Sequence, residues 1–342
     1  MSYQSHTMKP AERISAFVKL GNAIINLSGD EKEELLWRAE NNNNWFTKES
    51  VESALNGIAL MLSAEKLETW LSIYELKEVE NPKLIGLMMA GNIPAVGFHD
   101  LMCVILSGNV AVIKVSSTDE ILVKWIIKKL IEIDERMEKL IRIEEMLKGM
   151  DAYIATGSDN SSRYFNYYFG KYPHVIRQNR TSIAVLSGNE TTEDYLGLGR
   201  DIFQYYGLGC RNVSKIFVKS KDQLQDLLGA LEVYSPIASH HKYHNNYDYN
   251  KSIYLVNLEE HLDNGFLLLK ESEDLVSPIS VLFYELYENE TELAEKLDGL
   301  KAKIQCVVGV GSDRVPYGSA QNPEPWEYAD EVDTMDFLLK LA

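Results

Sequence analysis

Three cysteines, at 103, 210 and 306, are the residues of this chain best suited to covalent chemistry, and their surroundings separate them. Cys103 lies in Leu101-Met102-Cys103-Val104-Ile105 and Cys306 in Ile304-Gln305-Cys306-Val307-Val308. Such apolar runs bury a thiol and make it inert, so both read as core residues. Cys210 instead follows two glycines in Tyr206-Gly207-Leu208-Gly209-Cys210-Arg211-Asn212, at the expected end of a helix over Asp194–Tyr206. Glycine admits unusual backbone angles and close approach of a ligand, and a cationic neighbour such as Arg211 favours a thiolate. The same features suit a helix end whose thiol merely fills a gap, so at this point Cys210 is either a nucleophile or a filler. Three widely spaced cysteines build neither a disulfide framework nor a CxxC metal knuckle.

Further polar groups stand where strands end. Ala90-Gly91-Asn92-Ile93-Pro94 follows an apolar strand, and an asparagine there points its amide into the crevice where open α/β sheets bind ligands. Such an amide can donate to a developing oxyanion. Lys114 ends the strand in Gly108-Asn109-Val110-Ala111-Val112-Ile113-Lys114-Val115-Ser116-Ser117 and suits a nucleotide hydroxyl or phosphate. Ile154-Ala155-Thr156-Gly157-Ser158-Asp159 is again strand, glycine and helix start, where backbone amides make an anion site. His240, His241 and His244 cluster in Ser239–Tyr247, a segment that itself contains no carboxylate or cysteine to complete a metal site. No metal is expected, and a loop lining the substrate cleft or an interface is the simpler reading.

Hydrophobic periodicity defines the elements that carry these groups. Residues 1–80 read as helical, with Ile14, Phe17, Val18 and Ile24 at helical spacing and Thr47 as the N-cap of a helix through Val51, Leu55, Ile58 and Leu62. From Lys83 short apolar runs alternate with helices: strands over Leu84–Ala90, Val110–Val115, Ala152–Ala155 and Ile183–Leu186, helices over Val96–Leu106, Asp119–Lys148 with a break near Asp134, and Asn160–Lys171. That alternation implies a mostly parallel sheet covered on both faces. A looser second half has strands at Lys215–Val218, Ile253–Val256, Val281–Leu286 and Ile304–Val308, with helices at Lys221–Leu231 and Glu290–Leu300. The expected organisation is a helical segment 1–80, an α/β domain 81–206 of a nucleotide-binding kind, a second α/β domain 207–320 and a tail 321–342. Its length of 342 residues suits two domains, which usually hold roughly 100–200 residues each.

Charge and hydropathy exclude other classes. The net charge of −17 and a pI near 4.9 oppose nucleic acid and anionic lipid partners. Neither a signal peptide nor a stretch of roughly 18 apolar residues is present, so no membrane span and a cytoplasmic location are expected.

Taken in order, these segments resemble the aldehyde dehydrogenase superfamily, and within it the LuxC-type fatty acyl-CoA reductases, over about Leu84–Pro278. Gly91-Asn92-Ile93-Pro94 resembles the Trp-Asn-Phe-Pro loop whose asparagine donates to the oxyanion. Gly108–Ser116 resembles the Gly-Asn-x-Val-Val-x-Lys-Pro-Ser strand, whose lysine, here Lys114, meets the adenosine ribose. Thr156-Gly157-Ser158 is similar to the Thr-Gly-Ser at the cofactor phosphates, and Gly207-Leu208-Gly209-Cys210 to the Gly-Gln-x-Cys nucleophile turn. The resemblance implies an aldehyde-dehydrogenase-like fold in which 81–206 is a Rossmann-like cofactor domain and 207–320 the catalytic domain, a homo-oligomer, a nicotinamide cofactor and Cys210 as nucleophile.

Departures refine this expectation. The hydrolytic members' Glu-Leu-Gly-Gly-Lys-Ser-Pro segment is matched by Ile176-Arg177-Gln178-Asn179-Arg180-Thr181-Ser182, so apolar Ile176 stands where they keep a base. Without a base to activate water, exchange of the thioester with coenzyme A is the natural step. The carboxylate that meets the NAD ribose diol is replaced by Ser117, which implies NADPH, with NADH the alternative. Asp274, in Asp274-Leu275-Val276-Ser277-Pro278, stands where the family keeps a glutamate at the nicotinamide ribose. The implied reaction is NADPH-dependent reduction of an acyl-CoA to the aldehyde through an acyl-Cys210 thioester. An acyl-transferring or acyl-activating protein is a further implied partner. The competing readings are an acyl phosphate reductase resembling glutamyl phosphate reductases, a cysteine acyltransferase or thioesterase using His240, His241 or His244 without nicotinamide, and a binding module that keeps only the fold.

Overall fold

The helical spacing of the amino-terminal region folds into α1 (Pro10–Ile25), α2 (Gly29–Asn42), α3 (Lys48–Met61) and α4 (Ala64–Leu71). Ser28, Thr47 and Ser63 start the last three, their hydroxyls accepting from the N–H groups of Glu31, Ser50 and Lys66. These helices share one apolar core with the sheet that follows, Phe17, Leu20 and Trp70 joining Ile85, Leu87 and Leu101. The computed structural model describes residues 8–157 and 159–341. Among these, no helix is long and apolar enough to cross a membrane.

The first sheet is built from β1 (Leu84–Met88), α5 (Phe98–Ser107), β2 (Val110–Lys114), α6 (Glu120–Ile133), β3 (Ile141–Ile143), β4 (Ala152–Thr156), α7 (Asp159–Phe169) and β5 (His174–Arg177). Its strands run in the order β3-β2-β1-β4-β5 and are all parallel. Order reverses between β1 and β4, the kind of switch point beyond whose carboxyl strand ends open α/β sheets bind ligands.

The second sheet comprises β6 (Thr181–Val185), α8 (Thr192–Phe203), β7 (Val213–Val218), α9 (Asp222–Leu231), α10 (His241–Val256), β8 (Leu262–Asp263), β9 (Leu268–Glu271), β10 (Val281–Leu286), α11 (Glu290–Leu300) and β11 (Ile304–Val308). Its order is β11-β6-β7-β10-β9-β8, parallel except between β8 and β9. The final helix, α12 (Thr334–Leu339), returns to α5.

The chain accordingly divides into one unit to Asn179 that resumes at Pro323, and another over Arg180–Asn322. The sequence placed the division near Gly207; it falls earlier because β6 pairs with β7 and β11 rather than extending the first sheet. The segment read as an unassigned tail belongs to the first unit. Met335 and Leu338 are buried in its core, and Tyr328 Oη accepts from Trp70 Nε1 at 2.8 Å. Thr334 Oγ1 accepts from Arg177 at 2.9 Å, and Arg177 forms a buried ion pair with Asp100 of α5. Removing one member of such a pair strands the other charge, at a cost of about 3–5 kcal/mol.

One further reading is corrected and another is sharpened. Ile253–Val256, expected as a strand, is the last turn of α10, because Tyr243, Tyr247, Asn250 and Tyr254 form one buried helical stripe and Val256 is 81% exposed. The helix expected over Asp119–Lys148 breaks at Asp134, as its sequence indicated; Asp134 turns the chain, its carboxylate accepting from the Arg136 N–H, and a short 3-10 turn and β3 follow in place of further helix.

Candidate active site

In the first unit the strand register aligns the polar groups found in the sequence. Met88 of β1 lies opposite Lys114 of β2 on one side and Ala155 of β4 on the other. Asn92, Lys114, Ser117 and Gly157 therefore emerge from neighbouring strands at one edge of the sheet. Asn92, Lys114 and Ser117 are exposed. Ser158 lies outside the described residues.

The loops after β1 and β2 are tied together. Thr118 Oγ1 donates to the Gly91 carbonyl at 2.7 Å and meets Ser116 Oγ at 2.8 Å. A Cβ at Gly91 would come within 2.3 Å of Thr118 Oγ1 and 2.5 Å of Ser116 Oγ, so only glycine fits there. From α2, Asn42 Nδ2 donates to the Ser117 carbonyl at 3.0 Å. Asn42, within the run Asn41–Asn44, thus braces the loop that follows Lys114.

Beneath this loop lies Asp119, 2% exposed, its carboxylate shut away from water. Burial pushes its pKa up to about 8, which the Ala95 N–H only partly offsets. The folded protein keeps a proton that the unfolded chain releases above its ordinary carboxylate range, so this group's contribution to stability falls as pH rises through that interval to about 8. Asp119→Asn is expected to melt higher than the parent, by a margin that widens between about pH 5 and about pH 8. Melting curves at both values check this, and a constant margin would contradict it.

On β5, alternation separates two neighbours. Ile176 joins the apolar cluster of Tyr153, Phe165 and Phe169, whereas Arg177 faces Asp100. The position matching the hydrolytic base is therefore packed against hydrocarbon.

In the second unit the cysteine turn begins where α8 ends. Tyr205, Tyr206 and Gly207 have φ of 53°, 58° and 77°, three consecutive left-handed residues of which only the glycine is unstrained. Asn212 holds this turn. Its Nδ2 donates to the carbonyls of Gln204 at 2.7 Å, Asp201 at 3.0 Å and Ile202 at 3.3 Å, and its Oδ1 accepts from the Gly209 N–H at 2.8 Å. These bonds satisfy carbonyls that a helix end leaves open. From β6, Ser182 Oγ donates to the Cys210 carbonyl at 3.1 Å.

The three thiols differ as follows. Cys103 is fully buried, and burial pushes its pKa well up. Cys210 is half-buried. Cys306, expected in the core, is also half-buried, because a register shift between Ile304 and Val307 interrupts the alternation of β11. Arg211, adjacent to Cys210, donates to the Ala320 carbonyl at 3.2 Å. Asp274 is exposed after β9, and its segment is anchored to β7 by Ser214, which donates to the Leu275 carbonyl, and Lys215, which donates to that of Glu273.

The histidines separate along α10. His240 is its N-cap, with Nδ1 accepting from the Tyr243 N–H at 3.3 Å and its ring 4.2 Å from that of Tyr206. His244 faces Asp248 at 3.5 Å. Among the described residues no three His, Cys, Asp or Glu side chains converge to hold a metal ion.

Asn212, Ser182 and Asp119 were not singled out in the sequence. Asn212 had a signal there: an asparagine three residues after Gly209 suits an Asx-stabilised turn. Ser182 had none, since its role depends on strand pairing.

Residues 26–231 match the family model described as acyl-CoA reductase (LuxC), more than half of the chain. No curated protein matches it. Similar solved structures include a variant of aldehyde dehydrogenase C from Pseudomonas syringae with NAD+ and octanal, at 12% identity over 90% of this chain and 73% of that one, TM-score 0.63. Another is a Mycobacterium tuberculosis aldehyde dehydrogenase with NAD+, at 12% identity over 90% and 74%, TM-score 0.63. A third is an NADP-dependent enzyme from E. coli, at 10% identity over 88% and 73%, TM-score 0.62. At these identities the likeness is one of fold, and the fold is that of the aldehyde dehydrogenases, as the motifs implied.

Proposed function

Because the chain belongs to the LuxC family of acyl-CoA reductases, we propose that it reduces an acyl-CoA to the aldehyde with NADPH, through a thioester on Cys210. The observation that carries this reading is the braced turn that presents Cys210: three left-handed residues held by Asn212, with Ser182 fixing the Cys210 carbonyl. Strain is retained where a surrounding network pays for it, and such places are often functional.

Residues at the carboxyl edge of the first sheet fit a dinucleotide. Lys114 offers a cation, Ser117 a hydroxyl in place of a carboxylate, and Gly157 a small residue at the start of α7. With no anion at Ser117, a ribose 2′-phosphate meets no like charge. Lys114, Ser117, Gly157 and Ser158 would hold the cofactor on this side, and Asp274 its nicotinamide ribose. When bound, the reduced nicotinamide supplies the hydride that converts the thioester to a thiohemiacetal.

The chain's own groups do the rest. The Cys210 sulfur attacks the acyl carbonyl, and the oxyanion is held by the Asn92 amide and the Cys210 N–H. The carbon–sulfur bond to coenzyme A breaks and the thiol leaves with a proton. After reduction, the thiohemiacetal carbon–sulfur bond breaks, releasing aldehyde and restoring the Cys210 thiol. Ile176, packed against Phe165 and Phe169, provides no base to activate water, so the thioester persists long enough to be reduced.

Mixing enzyme with NADPH and acyl-CoA of graded chain length should oxidise cofactor and release coenzyme A in equal amounts. Turnover confined to acyl phosphates, with phosphate released, would move the assignment to that branch of the fold; coenzyme A release without cofactor oxidation would make it a thioesterase.

A further inference from the structure

We propose that Asn212 is a positioning residue that aims the Cys210 N–H at the oxyanion; this deepens, and rests on, the reading of Cys210 as nucleophile. Asn212 is 2% exposed and grips Gly209 at both ends. Its Oδ1 accepts from the Gly209 N–H at 2.8 Å, and its own N–H donates to the Gly209 carbonyl at 3.1 Å. The Gly209–Cys210 peptide is trans, so the carbonyl of Gly209 and the N–H of Cys210 point in opposite directions across one plane. Holding the carbonyl toward Asn212 therefore directs the Cys210 N–H to the other side of the turn.

The next peptide is fixed as well. A hydroxyl has one hydrogen to give and two lone pairs to receive. Ser182 Oγ gives its hydrogen to the Cys210 carbonyl at 3.1 Å and receives the Cys306 N–H at 3.2 Å. The second lone pair then faces the Cys306 thiol at 3.0 Å, which makes that thiol the donor. The Gly209 carbonyl is thereby held by the backbone N–H of Asn212, whose place in the turn its side chain fixes through the Gly209 N–H and the Asp201 and Gln204 carbonyls, and the Cys210 carbonyl is held by the Ser182 hydroxyl; Asn212 is itself anchored to β6, its carbonyl accepting from the Ser182 N–H at 3.1 Å.

Only a carboxamide meets the demands at 212. Two amide hydrogens serve the Gln204 and Asp201 carbonyls, with Ile202 sharing one of them, while the oxygen receives Gly209. A carboxylate would set an anion against three carbonyls, and alanine would leave all of them without this donor.

The test compares two reactions of the same sulfur in the full-length protein. Acylation by acyl-CoA passes through an oxyanion; alkylation by iodoacetamide forms the sulfur–carbon bond as iodide leaves and does not. For Asn212→Ala, acylation of Cys210 is expected to slow by about 100-fold or more while alkylation stays within about 3-fold of the parent. Both rates falling together, or neither falling, would overturn the proposal. Should that variant fail to fold by circular dichroism, Ser182→Ala removes one brace only, and the same selective loss, of about 10-fold, is expected, with a parallel loss or none again decisive against it. A parent enzyme that alkylates at Cys210 but never acquires an acyl group there would instead overturn the functional reading beneath it.

Discussion

Cys210→Ala should yield a folded protein that produces no aldehyde and takes up no acyl mass when incubated with acyl-CoA. The sulfur is the only group in the proposed sequence that forms and breaks a bond to the substrate carbon, so no neighbour can replace it. Cys103 is fully buried within α5, and Cys306 donates its thiol hydrogen toward Ser182. Peptide mass measurement after incubation without cofactor distinguishes the thiols: the parent is expected to carry its adduct on Cys210. An adduct on Cys103, or none on any peptide, would refute the scheme. Replacing cysteine by alanine in a half-buried turn removes one sulfur and leaves the hydrogen bonds of Asn212 and Ser182 to the backbone in place, so the melting temperature should change little.

The second large effect is expected at Asn92. Removing one preorganised oxyanion donor typically slows catalysis by about 100- to 1,000-fold, and Asn92→Ala should lose that factor in kcat. Its exposed side chain contributes little to the core, so stability should be nearly unchanged. The rate of acyl-adduct formation should fall with kcat, whereas iodoacetamide labelling of Cys210 should not. A variant that loses substrate affinity alone would place Asn92 in binding rather than at the oxyanion. Together with Asn212→Ala this separates a side-chain donor from a positioned backbone donor, since each variant should spare alkylation and impair acylation.

Much of the architecture was legible because parallel strands buried on both faces are short apolar runs. Leu84–Met88, Val110–Lys114 and Ala152–Thr156 could be read directly, and so could the loops that follow them. β3 and β5 were not, because Ile141–Ile143 is three residues long and His174–Arg177 carries a histidine and an arginine; Arg177 is tolerated only because Asp100 meets it inside the fold. Ile253–Val256 misled because four apolar residues fit either period, and the tyrosine stripe preceding them decided for helix. At the candidate site, residue types were legible and their supports were not. Asn92, Lys114, Ser117 and Gly157 announced themselves by standing at strand ends; Asp119 and Asn42 act on them from below and beside, through contacts that no local pattern encodes.

For Cys210 itself, sequence alone determined the chemistry on offer: a thiol after two glycines, in an ordered series of loops that resembles one superfamily, with isoleucine where a base would stand. That much follows from residue identity and order. Tertiary structure decided the rest. Strand register brought Ser182 of β6 and Cys306 of β11 to the turn, the division of the chain moved from Gly207 to Asn179, and the last residues returned to complete the first unit. The physical reason is that a hydrogen bond over a long sequence separation depends on which strands pair, and pairing is settled by burial of whole faces rather than by any residue at the site.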